Sequence, residues 1–317
     1  MGNCSPFFHR KGNIMKSVLR ILSLALLFAI LLVSMAGADE TLLKPFILGS
    51  RGPGMVAEKT AIVKSALLAQ GFIIAGEYSP YADAVVLVAT NDELKSNAAK
   101  SEHGGFGAAV RVSIIRVKDE VQIAYTNPVY MASAYRMQGD LSGVADKLAV
   151  ALGNKESFGA KGLTAKKLRS YHYTFGMEYF VEPSVLAEYK SFEEAAAAVE
   201  AGLAAGRGGV TKVYRIDVPE KQEAVFGVVL KGATEADKNM DDTYIMREID
   251  FKDLKSTAHL PYEILVSGNK VYALYARFRI AISFPDLSMM GSNSFMNIMK
   301  SPEAIRKALT QASGGKL

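Results

Sequence analysis

Residues 110–137 read VRVSIIRVKDEVQIAYTNPVYMASAYRM, and they set the class of fold. Val110, Val112 and Ile114 alternate, Lys118-Asp119-Glu120 supplies a turn, and Val121, Ile123 and Tyr125 alternate back. Period-two alternation on both sides of a short polar turn is the pattern of a β-hairpin with one face toward a core. Asn127-Pro128 ends the second strand, because proline offers no N–H to a ladder. It also opens a short helix over residues 129–135.

Upstream, a short strand at 46–48 leads through Gly49-Ser-Arg-Gly-Pro-Gly54 into a helix whose apolar residues Ile62, Val63, Ala66 and Leu67 recur at helical spacing, with Gly71 as its stop. Strands are expected at 72–78 and 84–89. Asn91 or Asp92 then caps a polar helix reaching about Lys100. Downstream, a helix over about 141–152 closes the unit. A Gly- and Lys-rich stretch, 154–170, carries Lys155, Lys161, Lys166, Lys167 and Arg169 against the single acid Glu156. It reads as an exposed basic linker.

The plan then recurs. Phe192, Ala195, Ala196, Val199 and Leu203 mark an amphipathic helix ended by Gly206. Strands follow at 210–218 and 224–230, with a polar helical stretch near 237–249. A second hairpin turns at Gly268-Asn269. Ser301-Pro302 opens a C-terminal helix. Val121 and Tyr125 match Val271 and Tyr275 at an offset of 150. The expected architecture is α+β: tandem small domains at 39–153 and 171–317, each an antiparallel-rich sheet with helices on one face.

With Val121, Ile123, Tyr125, Asn127, Pro128 and Tyr130, the 110–137 segment resembles the core of a bacterial family known as "domain of unknown function 302". The resemblance covers about 30 residues well and the first half more loosely. In the second half Tyr275 and the hairpin persist, while Arg277 and Phe278 stand where Asn-Pro would be. It implies a compact, often self-associating α+β domain with no assigned reaction.

The leader and the charge balance bear on compartment. Residues 21–33 are all apolar except Ser23, follow Lys16 and Arg20, and precede the small residues Ala36-Gly37-Ala38. This is the pattern of a secretory signal, residues 1–38, cleaved after Ala38; Met15 is a plausible start. The run is short of the ~20 residues that span a bilayer. The expected location is the periplasm, with an inner-membrane anchor through an uncleaved leader as the alternative, which is the only membrane contact foreseen. Cys4 precedes the apolar run and so is no lipoprotein cysteine, and Pro6 stands where a myristoylation site needs Ser or Thr. Residues 1–38 hold four of the 37 basic residues and no acid, leaving 33 against 32 acids. A nearly neutral mature chain lacks the dense basic surface that a nucleic acid requires, so no nucleic-acid partner is expected. With Cys4 the only cysteine, the mature chain has no disulfide, thiolate ligand or thiol nucleophile.

Candidate sites are few. Gly49, Arg51, Gly52 and Gly54 lie between a strand and a helix, where backbone N–H groups can hold an anion; a tight turn needs glycines in any case, and no nucleotide fingerprint is present. His103, His172 and His259 have no metal-like spacing, so neither a metal nor a cofactor is expected. A site assembled from dispersed residues, with His103 or His172 as base, is the enzymatic alternative. Residues 271–284, VYALYARFRIAISF, alternate over 14 positions and read as one long strand or two joined at a bulge. On that reading Arg277 and Arg279 project together from one face, either to grip a carboxylate or phosphate or to guard a sheet edge. Directly after come Met289, Met290, Met296 and Met299 with Phe295, side chains that adapt to an apolar ligand or partner or pack on the chain's own sheet. These residues point to a non-enzymatic binding or interaction module for a small apolar, amphipathic or anionic ligand. A homodimer contact, an envelope partner and a structural assembly role are the other readings.

Overall fold

A computed structural model describes Met1 and residues 41–317, apart from Phe175. The expected leader and its cleavage point lie outside the described residues. Residues Leu42–Leu317 form one compact unit.

The first half runs β1 (Phe46–Gly52), α1 (Val56–Ala69), β2 (Ile73–Tyr78), β3 (Ala84–Thr90), α2 (Asp92–Lys100), β4 (Val110–Val117), β5 (Glu120–Thr126), α3 (Pro128–Ala134), α4 (Ser142–Leu152), β6 (Glu156–Phe158) and α5 (Ala165–Arg169). The second runs β7 (Ser184–Glu188), α6 (Phe192–Ala204), β8 (Val210–Val218), β9 (Glu223–Leu230), α7 (Asp242–Ile249), β10 (Tyr262–Ser267), β11 (Lys270–Ala273), α8 (Ala276–Ser283) and α9 (Ser301–Ala312). Both sheets are antiparallel throughout. Their strand orders are β2-β3-β4-β5-β1-β6 and β8-β9-β10-β11-β7, the same path walked twice, with β6 added to the first. The fold is α+β, as expected. The repeat holds in register too: Val117 pairs with Glu120 and Ser267 with Lys270, each partner displaced by 150.

Local chemistry explains the shared elements. Asn91 caps α2 by accepting the Leu94 N–H at 2.9 Å, and Asn127 caps α3 by accepting the Val129 N–H at 3.1 Å, with Pro128 in the first turn. Tyr125 and Tyr130 serve the frame: the Tyr125 hydroxyl donates to the Gly153 carbonyl at 2.9 Å beyond α4, and the Tyr130 hydroxyl to the Ile282 carbonyl at 2.8 Å. The second bond, with Tyr171 donating to Ala281 at 3.2 Å, satisfies carbonyls that the end of α8 would otherwise leave orphaned.

Helices α1 and α4 cover one face of the first sheet, placing Val63, Leu67, Val144 and Leu148 over Val112, Ile114 and Tyr125. Helices α6 and α9 cover the second sheet in the same way. The remaining faces are exchanged between halves. The turn Gly104–Gly107 packs on β8, β9 and β10, and the turn Thr257–His259 packs on β4 and β5. Tyr214, Val225 and Leu265 thereby join the first half's core. Where the halves meet, Gly76 of β2 is held so close to β8 that a Cβ would lie 2.8 Å from the Val213 carbonyl oxygen.

Three expectations are corrected. The stretch 154–170 is not an exposed linker: β6 pairs with β1, Leu43 and Leu163 exchange backbone bonds, and Phe158 and Leu168 are buried. Its apolar residues, sparse among lysines, carry the packing. Gly49, Arg51 and Gly52 lie inside β1, at and after a bulge between Leu48 and Ser50, and α1 begins only after Met55. The 271–284 segment begins within the short strand β11, Lys270–Ala273, and continues as α8; its pattern misleads because a helix buried on nearly every side has no polar stripe to reveal its period.

Candidate functional site

Helix α8 separates the two arginines that were expected side by side. Residues two apart on a helix point nearly opposite ways. Arg277 turns outward, its side chain 38% exposed, and forms a two-pronged ion pair with Glu178. Arg279 turns inward, 2% exposed, into the junction of the halves.

There Glu263 of β10 sits between two guanidinium groups, 3.2 Å from Arg111 Nη2 of β4 and 3.2 Å from Arg279 Nη1. Tyr214 donates to Glu263 at 3.3 Å. Arg279 donates to the Tyr135 hydroxyl at 3.1 Å and to the His259 and Pro261 carbonyls at 2.8 and 2.7 Å, and lies over the Tyr262 ring at 5.4 Å. Burial opposes the charge on Arg279, but Glu263 and the surrounding phenols more than offset it, and its pKa is raised. A carboxylate flanked by two cations from opposite halves locks their register; removing Glu263 leaves two buried guanidinium groups uncompensated.

The second-half methionines form a different kind of place. After Phe284 the chain leaves the sheet and returns on itself: Phe295 N–H donates to the Ser288 carbonyl at 2.9 Å and Met296 N–H to the Met289 carbonyl at 3.1 Å. A 3-10 turn, Phe295–Ile298, follows, and Ile298 is fully buried as its anchor. The loop walls a cleft of about 310 Å³ lined by Met177, Tyr275, Arg277, Met289, Phe295, Met296, Met299 and, from α9, Pro302, Glu303 and Arg306. A smaller apolar recess with Ile280, Phe284 and Leu287 in its wall adjoins it, sharing Met177, Arg277 and Phe295. Met289, Met296 and Met299 are 43%, 50% and 57% exposed. Both cations at the cleft are already paired, Arg277 with Glu178 and Arg306 with Glu303 at 2.7 and 2.9 Å. The Arg306 guanidinium holds the Glu303 carboxyl below its ordinary range.

Arg277, Met289 and Phe295 are therefore brought together as the sequence reading grouped them. Met290, 71% exposed, does not line the cleft, and Arg279 is sealed away. Sequence reasoning missed Met177, which reaches the site from a distant segment, and Arg306, which reaches it from the adjoining helix α9. The anion reading of Gly49–Gly54 also fails: Arg51 Nε is 2.6 Å from Glu120, and a Cβ on Gly49 would sit 2.6 Å from the Leu152 carbonyl oxygen. Gly49 is thus required by close packing against the end of α4.

The histidines and acids do not build a second site. His103 packs against Tyr272 with the rings tilted by 55° and their centres 4.9 Å apart, and His172 bonds the Thr174 carbonyl at 2.9 Å. Neither hydrogen-bonds a serine or a carboxylate among the described residues; burial lowers the pKa of His103, and the nearby Glu102 and Glu223 carboxylates oppose that shift. His259 Nδ1 lies 2.8 Å from Ser283 Oγ and Nε2 3.3 Å from the Tyr262 hydroxyl. This pair is fully buried beneath the arginines, and burial and both guanidinium charges push the imidazole well below its ordinary pKa. No described cleft reaches it. Asp250 borders two further clefts of about 230 and 340 Å³. Its oxygens are occupied by the Ser256 N–H at 2.8 Å and the Thr257 hydroxyl at 3.1 Å. Among the described residues no group of three or more His, Cys, Asp or Glu could hold a metal ion.

No family model matches the chain, no curated protein matches it, and no solved structure matches it.

Proposed function

We propose that this chain is an exported, non-enzymatic binding module that takes a small apolar or amphipathic molecule in the methionine-lined cleft. One observation carries the reading: five apolar side chains from three segments, Met177, Met289, Phe295, Met296 and Met299, line one cleft while three of the methionines stand about half in water. Exposed apolar surface gathered in a concavity is what a ligand would cover, and unbranched methionine reshapes to fit an irregular one. The cleft's volume sits at the lower end of the ~300–1,000 Å³ range of ligand pockets, which favours a small molecule over a protein segment. Because Arg277 and Arg306 are already neutralised by carboxylates, a polar headgroup would stay at the solvent edge, and the apolar portion would supply the affinity. The resemblance of residues 110–137 to the domain-of-unknown-function-302 family is part of the proposal and adds no reaction to it.

The test is binding of a fluorescent fatty acid to the purified mature chain, with native mass spectrometry for any co-purifying molecule. Saturable binding at one molecule per chain, weakened at least tenfold by Phe295→Ala, is the expected result. Absence of both a co-purifying molecule and saturable probe binding would sink the reading. Periplasmic fractionation of the tagged chain checks the export half.

A further inference from the structure

We infer that the same cleft holds a soft monovalent metal ion, Cu(I), on a thioether site formed by Met289, Met296 and Met299 with Met177 facing them. This goes beyond the apolar-ligand reading, because it rests on sulfur lone pairs rather than on apolar area.

The backbone arranges the donors. The bond from Met296 N–H to the Met289 carbonyl, 3.1 Å, makes these two residues neighbours across the loop. Met299 N–H in turn bonds the Met296 carbonyl, and in a 3-10 turn positions three apart eclipse, so their side chains leave on one side. All three line the cleft together with Met177. Buried Ile298 and the Asn297 amide bond to Glu248 at 3.0 Å pin the loop in that form.

The donor set selects the metal. The cleft contains no cysteine and no histidine, and its acids, Glu178 nearby and Glu303 in its wall, are spoken for by Arg277 and Arg306. A hard cation such as Mg²⁺ or Ca²⁺ finds no uncommitted carboxylate, and Zn²⁺ finds neither imidazole nor thiolate. Thioethers alone suit Cu(I). The paired arginines present little net charge to repel it. Leucine would fill the same space, so the repeated use of methionine at half-exposed positions is explained by sulfur better than by volume.

The experiment titrates Ag(I), the redox-inert stand-in for Cu(I), into the mature chain carrying methyl-¹³C methionine. It is repeated with the Met289→Leu/Met296→Leu/Met299→Leu variant, whose swaps conserve volume and apolarity. The Met289, Met296 and Met299 methyl signals should move together and saturate at one ion per chain. Met290, outside the cleft, should stay still. The variant should bind Ag(I) at least tenfold more weakly while keeping the wild-type midpoint in urea denaturation, which shows that the fold is intact. Cleft signals that do not move, or a variant that binds Ag(I) as tightly as wild type, would overturn the metal site. Loss of probe binding in the wild type would overturn only the apolar reading.

Discussion

After α3 the first half takes residues 135–141 to reach α4; after α8 the second half takes residues 284–300 to reach α9. Up to that point the halves share element order, strand order and hairpin register. The short connection stays on the body, burying Tyr135 and Met137. The long one cannot lie flat, so it folds on its own backbone bonds and leaves methionines half in water. The difference teaches where to look: the methionine-lined cleft lies where the copies diverge. Arg279 and Arg277 condense the contrast, one in the frame and the other at the cleft.

The largest expected effect strikes the frame. Arg279→Ala should cost about 3–5 kcal/mol in urea denaturation, because buried Glu263 loses one of its two guanidinium partners and the His259 and Pro261 carbonyls lose that donor. Arg277→Ala, which breaks a part-exposed pair, should cost no more than about 1 kcal/mol. Equal losses would dissolve the distinction. Next comes Asp250. Burial, against hydrogen bonds from Ser256 and Thr257, pushes its carboxyl from 3.8 up to about 6. Between those values the folded chain keeps a proton that the unfolded chain has released. Stability from this group is therefore withdrawn as pH rises through the window, by roughly 3 kcal/mol. Asp250→Asn has no such proton, so from pH 4 to pH 7 its stability relative to wild type should rise by about that amount. Comparing variant with wild type removes the opposing contribution of His259, whose lowered pKa stabilises the fold above its unfolded value and is lost on acidification.

The cleft should respond in binding instead. Met296→Ser/Met299→Ser should weaken probe binding at least tenfold, about 1.4 kcal/mol, with folding stability changed by less than about 1 kcal/mol because both side chains already face water. A large stability loss would assign these residues to the core. The smallest effect compares the hairpin turns, where Lys118 and Gly268 occupy equivalent positions at φ 57° and 55°. Lys118→Gly should raise the denaturation midpoint by up to ~1 kcal/mol of stability and Gly268→Ala lower it by a similar amount, since only glycine enters that region freely.

Much of the frame was legible. The strand at residues 210–218, the Asn91 and Asn127 caps and the hairpin at Lys118-Asp119 follow from short-range patterns that burial of one face imposes on a chain. The end of the second hairpin misled because alternation in VYALYARFRIAISF is shared by a strand and by a helix buried nearly all round. The repeat held the better clue, since an offset of 150 places residues 276–283 against α3 and its flanks. Of the candidate site, Arg277, Met289 and Phe295 were found because they are close in sequence and compositionally odd. Met177 was not, because it reaches the cleft from a segment more than a hundred residues away; Arg306 was not, because on α9 it reads as an ordinary exposed helix cation.

The sequence by itself determined the α+β class, the duplication and most strand limits, since these depend on periodicity and turn chemistry within a few residues. Only the tertiary structure decided that residues 154–170 belong to the first sheet, that Arg279 is an internal counter-ion and that four methionines share one cleft. Those outcomes depend on which surfaces meet across a hundred residues or more, and local pattern carries no record of a distant partner.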